Sequence, residues 1–364
     1  MSTVVIEWYD GRSRLRPVVT SANLFTLVNR ATLTTLFGNW GEILQTQNLS
    51  VDRPMDPVSR WLLITRASVF PMTLFSGFIG GLLAVSAPHV DGALFSLALV
   101  GLVVAHAANN MINDYFDVGA GVDTAGYART VYAPHPILSG LISRAGLLTA
   151  IAVFNLVDLA ILVLLAQVRG AGVVAFALAG LFVSVFYVAP PLKLKHRGLG
   201  EPGVFLVWGP LMIGGTYFVT TGVLAPWVFA AAIPYGLLVT TVLIGKHVDK
   251  LGADAAKGIA TIPVILGRRP SLALNRALMI AFYVSVAALV PLRVLPPWAL
   301  LAFVSIPRLL ETLRVYREPA PESPPPGYPI WPLWYVAWAF RLNRQAGALL
   351  VLGLVLDAIF PVIR

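Results

Sequence analysis

Residues 92–123 read GALFSLALVGLVVAHAANNMINDYFDVGAGVD, and the fold is decided there. The first 22 of them, Gly92–Asn113, contain no Asp, Glu, Lys or Arg. About 20 apolar residues in an α-helix are enough to cross the hydrocarbon core of a bilayer. The run then meets Asn113, Asp114, Asp117 and Asp123 in quick succession, so a membrane helix ends on a cluster of polar side chains. The rest of the chain repeats the first half of this pattern. Of 364 residues, 57% are hydrophobic and only 12% are charged, about half the charge of an ordinary soluble chain. Mean hydropathy is +0.79. Coiled coil, collagen, disordered tail and disulfide-stapled secreted module are excluded, and an all-α polytopic membrane protein is expected. There is no cysteine, hence no thiolate metal site and no cysteine nucleophile.

Apolar runs lie near 67–87, 92–113, 146–167, 171–190, 203–222, 226–246, 274–293, 297–313 and 344–362, which predicts about nine spans. Residues 1–60 are mixed and polar and read as a cytoplasmic or interfacial extension, with residues 61–364 as the membrane domain. The first 19 residues lack the apolar core of a signal peptide, so the first span is expected to act as the insertion signal. Pro319–Pro329 cannot be helical throughout, and the aromatic stretch Ile330–Phe340 reads as interfacial. The formal charge of +9 invites a nucleic-acid reading, but the loops explain it better. The connections after even-numbered spans hold fifteen Lys and Arg, against Arg169 and Arg293 on the other side. That excess places the N-terminus and the even-numbered loops in the cytoplasm of a multi-pass protein of the cell membrane, with no nucleic-acid partner.

Two of those cytoplasmic loops are acidic. After span two, Asn113 and Asp117 are four residues apart and share one helix face, and Asp123 follows a glycine-containing break. Carboxylates at a membrane helix end are costly alone, and oxygen ligands without a His or Cys cluster favour a hard cation such as Mg²⁺. A hydrated polar loop is the plainer reading. After span six, IGKHVDKLGADAAKG carries Asp249 and Asp254 among Lys246, Lys250 and Lys257. Both clusters face the same compartment, so Asp117 and Asp254 are expected to face each other across a helical ring and form a metal-bridged diphosphate clamp. The fourth connection, FYVAPPLKLKHRGLGEPG, offers Lys193, Lys195 and Arg197, for which a diphosphate contact and a purely topological role both fit. Tyr187 fits either the cavity wall or the aromatic belt. For His106 and His247 a substrate contact and a plain polar interface position both fit.

With these residues in hand, the chain resembles the UbiA superfamily of intramembrane prenyltransferases, closest to its menaquinone-type (1,4-dihydroxy-2-naphthoate) branch. Asn113, Asp117, Gly121 and Asp123 are similar to that branch's form of the first motif, N-x-x-x-D with a later Asp. HPILSGLIS (His135–Ser143), YVAPPLKLKHRGLGE, GTYFV (Gly215–Val219) and KGIATIPVILG (Lys257–Gly267) resemble further segments in the right order. The second motif, D-x-x-x-D, is matched loosely, because Asp249 and Asp254 are five apart. The resemblance implies a UbiA-like ring of helices around a central cavity and transfer of a polyprenyl group from its diphosphate to a small aromatic acceptor. It implies two Mg²⁺ held by Asn113, Asp117, Asp123, Asp249 and Asp254, with Asp117, Asp254 and Tyr187 as the catalytic set. Lys193, Lys195, Arg197, Lys246, Lys257 and Arg129 would hold the diphosphate. Other acceptors of the superfamily (chlorophyllide, haem, carotenoid, or phosphoribosyl transfer to a polyprenyl phosphate), a membrane transporter and an assembly subunit are the alternatives.

Overall fold

The computed structural model describes residues 30–50 and 53–362, together with four dipeptides, Val4–Val5, Trp8–Tyr9, Arg12–Ser13 and Arg16–Pro17, that pair as two short antiparallel ladders. Everything else with regular structure is helical. The elements are α1 (Arg30–Thr46), α2 (Pro57–Ile64), α3 (Phe70–Leu83), α4 (Gly92–Gly119), α5 (Ala128–Tyr132), α6 (Arg144–Arg169) and α7 (Ala171–Phe186). They continue with α8 (Gly200–Leu206), α9 (Met212–Thr221), α10 (Pro226–Asp249), α11 (Leu251–Ala256), α12 (Ile262–Leu266), α13 (Arg268–Leu289), α14 (Ile306–Val315) and α15 (Tyr335–Ile359).

Among the described residues, six helical runs are long and apolar enough to cross a membrane: α4, α6, the joined α8–α9, α10, α13 and α15. Helices α2 and α3, bent by 64° at a short break, bring the number to seven when the pair is counted as one span. The expected count of nine is not confirmed among the described residues. Ala171–Phe186 is shorter than a span, and the apolar run at 297–313 folds as a 3₁₀ stretch, Pro297–Ser305, leading into the ten-residue α14. The α8–α9 span is continuous through a π-turn, Val207–Leu211, where Pro210 removes a helical donor. Within Ile330–Phe340 the helix α15 starts at Tyr335.

Helix α10 is the axis of the fold: 72% of its most apolar window is buried, against 17% for α6, whose Leu156 and Leu164 face outward. The core forms where α3, α8–α9, α13 and α15 pack around α10, with Tyr235, Leu238, Phe282, Ala299 and Ala346 wholly buried. Gly245 allows α10 to approach α15 closely. A Cβ there would lie 3.1 Å from the backbone of Val336, so α10 and the start of α15 touch main chain to main chain. Helices α3, α4, α6, α7, α8–α9, α10 and α15 enclose a cavity of about 950 Å³. Its walls are largely apolar, and it runs along α4 from Asn113 to Ala98, about 22 Å at 1.5 Å per residue. Residues 60 and 61, the expected boundary, both lie in α2. Gln45, Thr46 and Gln47 line the cavity mouth, and Arg344 of α15 donates to the Leu44 carbonyl at 2.6 Å.

Candidate active site

The last turns of α4 carry Asn110, Asn113, Asp114 and Asp117, and the chain then reverses at Gly121, whose φ of +69° favours glycine. In this turn the Asp117 carbonyl accepts the N–H groups of Val122 (2.8 Å) and Asp123 (3.0 Å), returning Asp123 to the helix end it had left. The second acidic stretch arrives from α10 and α11. Its Asp254, wholly buried, accepts from the Tyr127 hydroxyl at 2.5 Å and lies 3.1 Å from the Lys250 ammonium. Lys257 donates to the Gly121 carbonyl at 2.9 Å, and Val122, Tyr127 and Ile259 form a small apolar cluster beneath. Acids 131–140 residues apart in sequence thus share one end of the helical ring.

Between them lies a pocket of about 40 Å³ lined by Arg66, Asn113, Asp117, Asp123, Arg129, Tyr132, Tyr187, Lys195, Lys246, His247 and Lys250. Arg66, Asn113, Tyr132, Tyr187 and Lys246 also line the large apolar cavity, so the two spaces meet at these side chains. Asp117 takes a 2.9 Å salt bridge from Lys195, which a hydrogen bond from its own N–H to the Tyr187 carbonyl (3.0 Å) helps to hold there. Burial works against the Lys195 charge, but Asp117 outweighs it and raises the ammonium above its ordinary value. Burial likewise pushes Asp254 up, and Lys250, His247 and the Tyr127 hydroxyl more than reverse it. Burial, then Glu201 and the site's aspartates, push the Tyr187 phenol well up, so it stands there neutral.

Several expected residues stand elsewhere. Asp249 points away: its two oxygens accept the N–H groups of Tyr335 and Val336, at 2.9 Å each, capping α15. The physical reason is register. A residue five before Asp254 cannot share its helix face, whereas the residue four before, Lys250, does. Of the fourth connection's cations only Lys195 enters. Arg197 is exposed and donates to the Pro191 carbonyl, and Lys193 lines neither cavity. Lys257 is a latch between the two loops, outside the pocket. Arg129 is present, but its guanidinium is held by Asp114 and by the Ala133 and Pro134 carbonyls.

Four contributors escaped the sequence reading. Arg66 sits at the break between α2 and α3 with φ +55°, and its guanidinium bonds both oxygens of Asp114. His135 receives the N–H groups of Ile137 and Leu138 on Nδ1, which leaves the proton on Nε2, 3.3 Å from Asp123 and 3.4 Å from Asp114. Glu201 accepts from His247 (2.8 Å) and the Ile262 N–H (3.1 Å), tying α10 to α8 and α12. Tyr132 closes the roof between pocket and cavity. Burial would raise its phenol, but Lys246, Arg129, Arg66 and Lys250 win and bring it down to about 8. An arginine beside an apolar run, as in ITRASVF, was the available signal for Arg66. The others depend on contacts that no local spacing encodes.

The donor set suits a hard cation at the first acidic stretch. Asn113 Oδ1 is buried without a hydrogen-bond partner, and so is Asp254 Oδ2; Asp123 Oδ2 has only the poorly directed His135 Nε2. Buried oxygens left open in this way are what a metal's ligands look like before the metal. Asp114, Asp123 and His135 do place one ligand atom each within 4.8 Å. Two guanidiniums already saturate Asp114, however, and the His135 nitrogen facing the carboxylates carries a proton, so that trio is an internal brace.

Residues 73–332 match the profile of the UbiA prenyltransferase family. The chain belongs to that family. Among its relatives, the 1,4-dihydroxy-2-naphthoate octaprenyltransferase of Bacillus subtilis (strain 168) is 24% identical over 255 residues, covering 67% of this chain and 79% of the relative. The UbiA prenyltransferase domain-containing protein 1 of Dictyostelium discoideum is 23% identical over 256 residues, covering 66% and 75%. In fold, this UbiA-family chain is similar to a UbiA homolog from Aeropyrum pernix K1 (TM-score 0.59, 18% identity, 80% and 98% covered). It is also similar to a UbiA homolog from Archaeoglobus fulgidus bound to GPP and Mg²⁺ (TM-score 0.54, 16% identity, 81% and 99% covered). The protein is thus a multi-pass membrane prenyltransferase, as the motifs implied.

Proposed function

We propose that this UbiA-family protein transfers a polyprenyl group from its diphosphate to an aromatic, naphthoate-like acceptor and releases diphosphate, with Mg²⁺ as cofactor. The observation that carries this reading is the convergence of two acid-bearing loops, joined by Tyr127 and Asp254 at 2.5 Å, over the mouth of an apolar cavity of about 950 Å³. A charged head and a long greasy tail need that pairing of spaces.

Asn113, Asp117 and Asp123 would hold the cation, with Asp254 behind the pocket-lining Lys250. Bound Mg²⁺ neutralises charge on the departing diphosphate as a Lewis acid. Lys195, Lys246 and Arg66 line the pocket and would supply positive charge where negative charge grows when the allylic C–O bond breaks. The apolar wall from Met72 to Val219 keeps water from the allylic cation. The acceptor ring forms the new C–C bond and then loses a proton. Tyr187, held neutral, serves as cavity wall and hydrogen-bond donor. The basic loops at this end of the ring support a cytoplasmic-facing site in a cell membrane. The naphthoate acceptor follows the names of the relatives.

Incubation of the purified protein with labelled prenyl diphosphates and a panel of aromatic acceptors tests the reading. A prenylated dihydroxynaphthoate with equimolar diphosphate is expected, and the rate in Asp117→Ala should fall about 10²-fold or more. No consumption of any prenyl diphosphate, or a full rate in the variant, would refute it.

A further inference from the structure

The second acidic stretch holds one carboxylate where a pair would be needed to balance another dication. Asp249 is spent on the α15 backbone, and the position one helical turn before Asp254 is Lys250. That lysine is 5% exposed, its ammonium is 3.1 Å from Asp254, and it rests 4.8 Å over the Tyr127 ring. It is buried but opens onto the pocket, and its contacts with Asp254 and the Tyr127 ring fix the place of its charge. The pocket is lined by Asp117, Asp123, Arg66, Arg129, Lys195, Lys246 and Lys250, and behind them Asp114 pairs with Arg66 and Arg129 and Asp254 with Lys250. Among the described residues, Lys246 has no carboxylate partner. The cations therefore already outnumber the acids.

We infer that Lys250 binds the diphosphate directly in place of a second metal ion, so that the site takes one divalent cation, on the Asn113–Asp117–Asp123 side. An alkyl diphosphate brings about three negative charges, which one dication and the surplus lysine balance. A second dication on Asp254 would sit beside the Lys250 ammonium and leave the pocket net positive even with diphosphate in it. The arrangement also explains why Lys250 and Lys246 are one turn apart on the segment that ends α10, with both reaching the same pocket. This inference rests on the prenyl-diphosphate reading above.

The test uses the full chain in detergent, Mn²⁺ as the probe metal and a prenyl S-thiolodiphosphate that binds without reacting. Electron paramagnetic resonance of free Mn²⁺ then counts bound ions per chain. One tight Mn²⁺ without spin coupling is expected, and Lys250→Gln should keep that single ion while weakening the thiolodiphosphate about tenfold or more. Lys250→Asp should admit a second, spin-coupled Mn²⁺. Two ions in the native protein, or unchanged thiolodiphosphate affinity in Lys250→Gln, would overturn the inference while leaving the function intact. Failure of the native protein to bind the thiolodiphosphate at any Mn²⁺ concentration would instead remove the function, and this inference with it.

Discussion

At Asp114 two guanidiniums converge from opposite directions, Arg66 from the break between α2 and α3 and Arg129 from the short helix α5. The carboxylate is wholly buried, so removing its charge strands two cations in a poorly solvated corner. Asp114→Asn is expected to cost about 3–5 kcal/mol, read as a large fall in melting temperature or in yield of folded protein. A merely local ligand would show lost metal affinity with an unchanged melting point. Tyr132 makes the opposite kind of prediction, about titration. Its surrounding cations favour the phenolate, so ultraviolet titration should show one tyrosine ionising near pH 8 that disappears in Tyr132→Phe. Because an anionic diphosphate engages the same cations, its binding should move that ionisation upward; a downward shift or none would contradict the shared site.

At the scale of elements, the contrast between Asp249 and Asp254 shows how far local spacing reaches. Asn113, Asp117 and Asp123 were legible because a helix face and a glycine turn are local devices, and Gly121 closes the turn as its position suggests. Lys195 was legible with its loop. Asp249 was misread because its partner is the first turn of α15, 86 residues later, and nothing near it in sequence announces that contact. Arg66, His135 and Glu201 were missed for the same reason: their partners lie 48, 12 and 46 residues away, respectively. As a helix cap, Asp249→Ala should cost about 0.5–2 kcal/mol of stability, loosening the start of α15. Prenyl transfer in the folded fraction should survive, and the Mg²⁺ concentration giving half-maximal rate should not move. A rise in that concentration would restore Asp249 as a metal ligand. The apolar runs themselves gave the helical order correctly. Their lengths did not separate complete spans from the 16-residue α7 or from the broken segment at 297–315, where a 3₁₀ stretch runs into a short helix.

For the molecule as a whole, one end of the ring is a charged pocket and the remainder is an apolar chamber continuous with it. The chamber reaches Ala98, Leu165, Val173 and Val219 at its far end. Filling that end should select against long substrates only. Ala98→Trp is expected to lower kcat/KM for long polyprenyl diphosphates while leaving a ten-carbon diphosphate nearly unaffected, and equal losses for both would argue against a tail lying along α4. The central claim is that Asp117 and Asp254, brought together from two distant loops, act on one diphosphate. The most direct measurement is a double-mutant cycle on residual diphosphate release by Asp117→Asn, Asp254→Asn and the double variant. A shared clamp predicts that each single change costs about 10²-fold or more and that the double loses little beyond the worse single. Losses that simply multiply, or a native rate in either single variant, would show that the two carboxylates do not work on the same group.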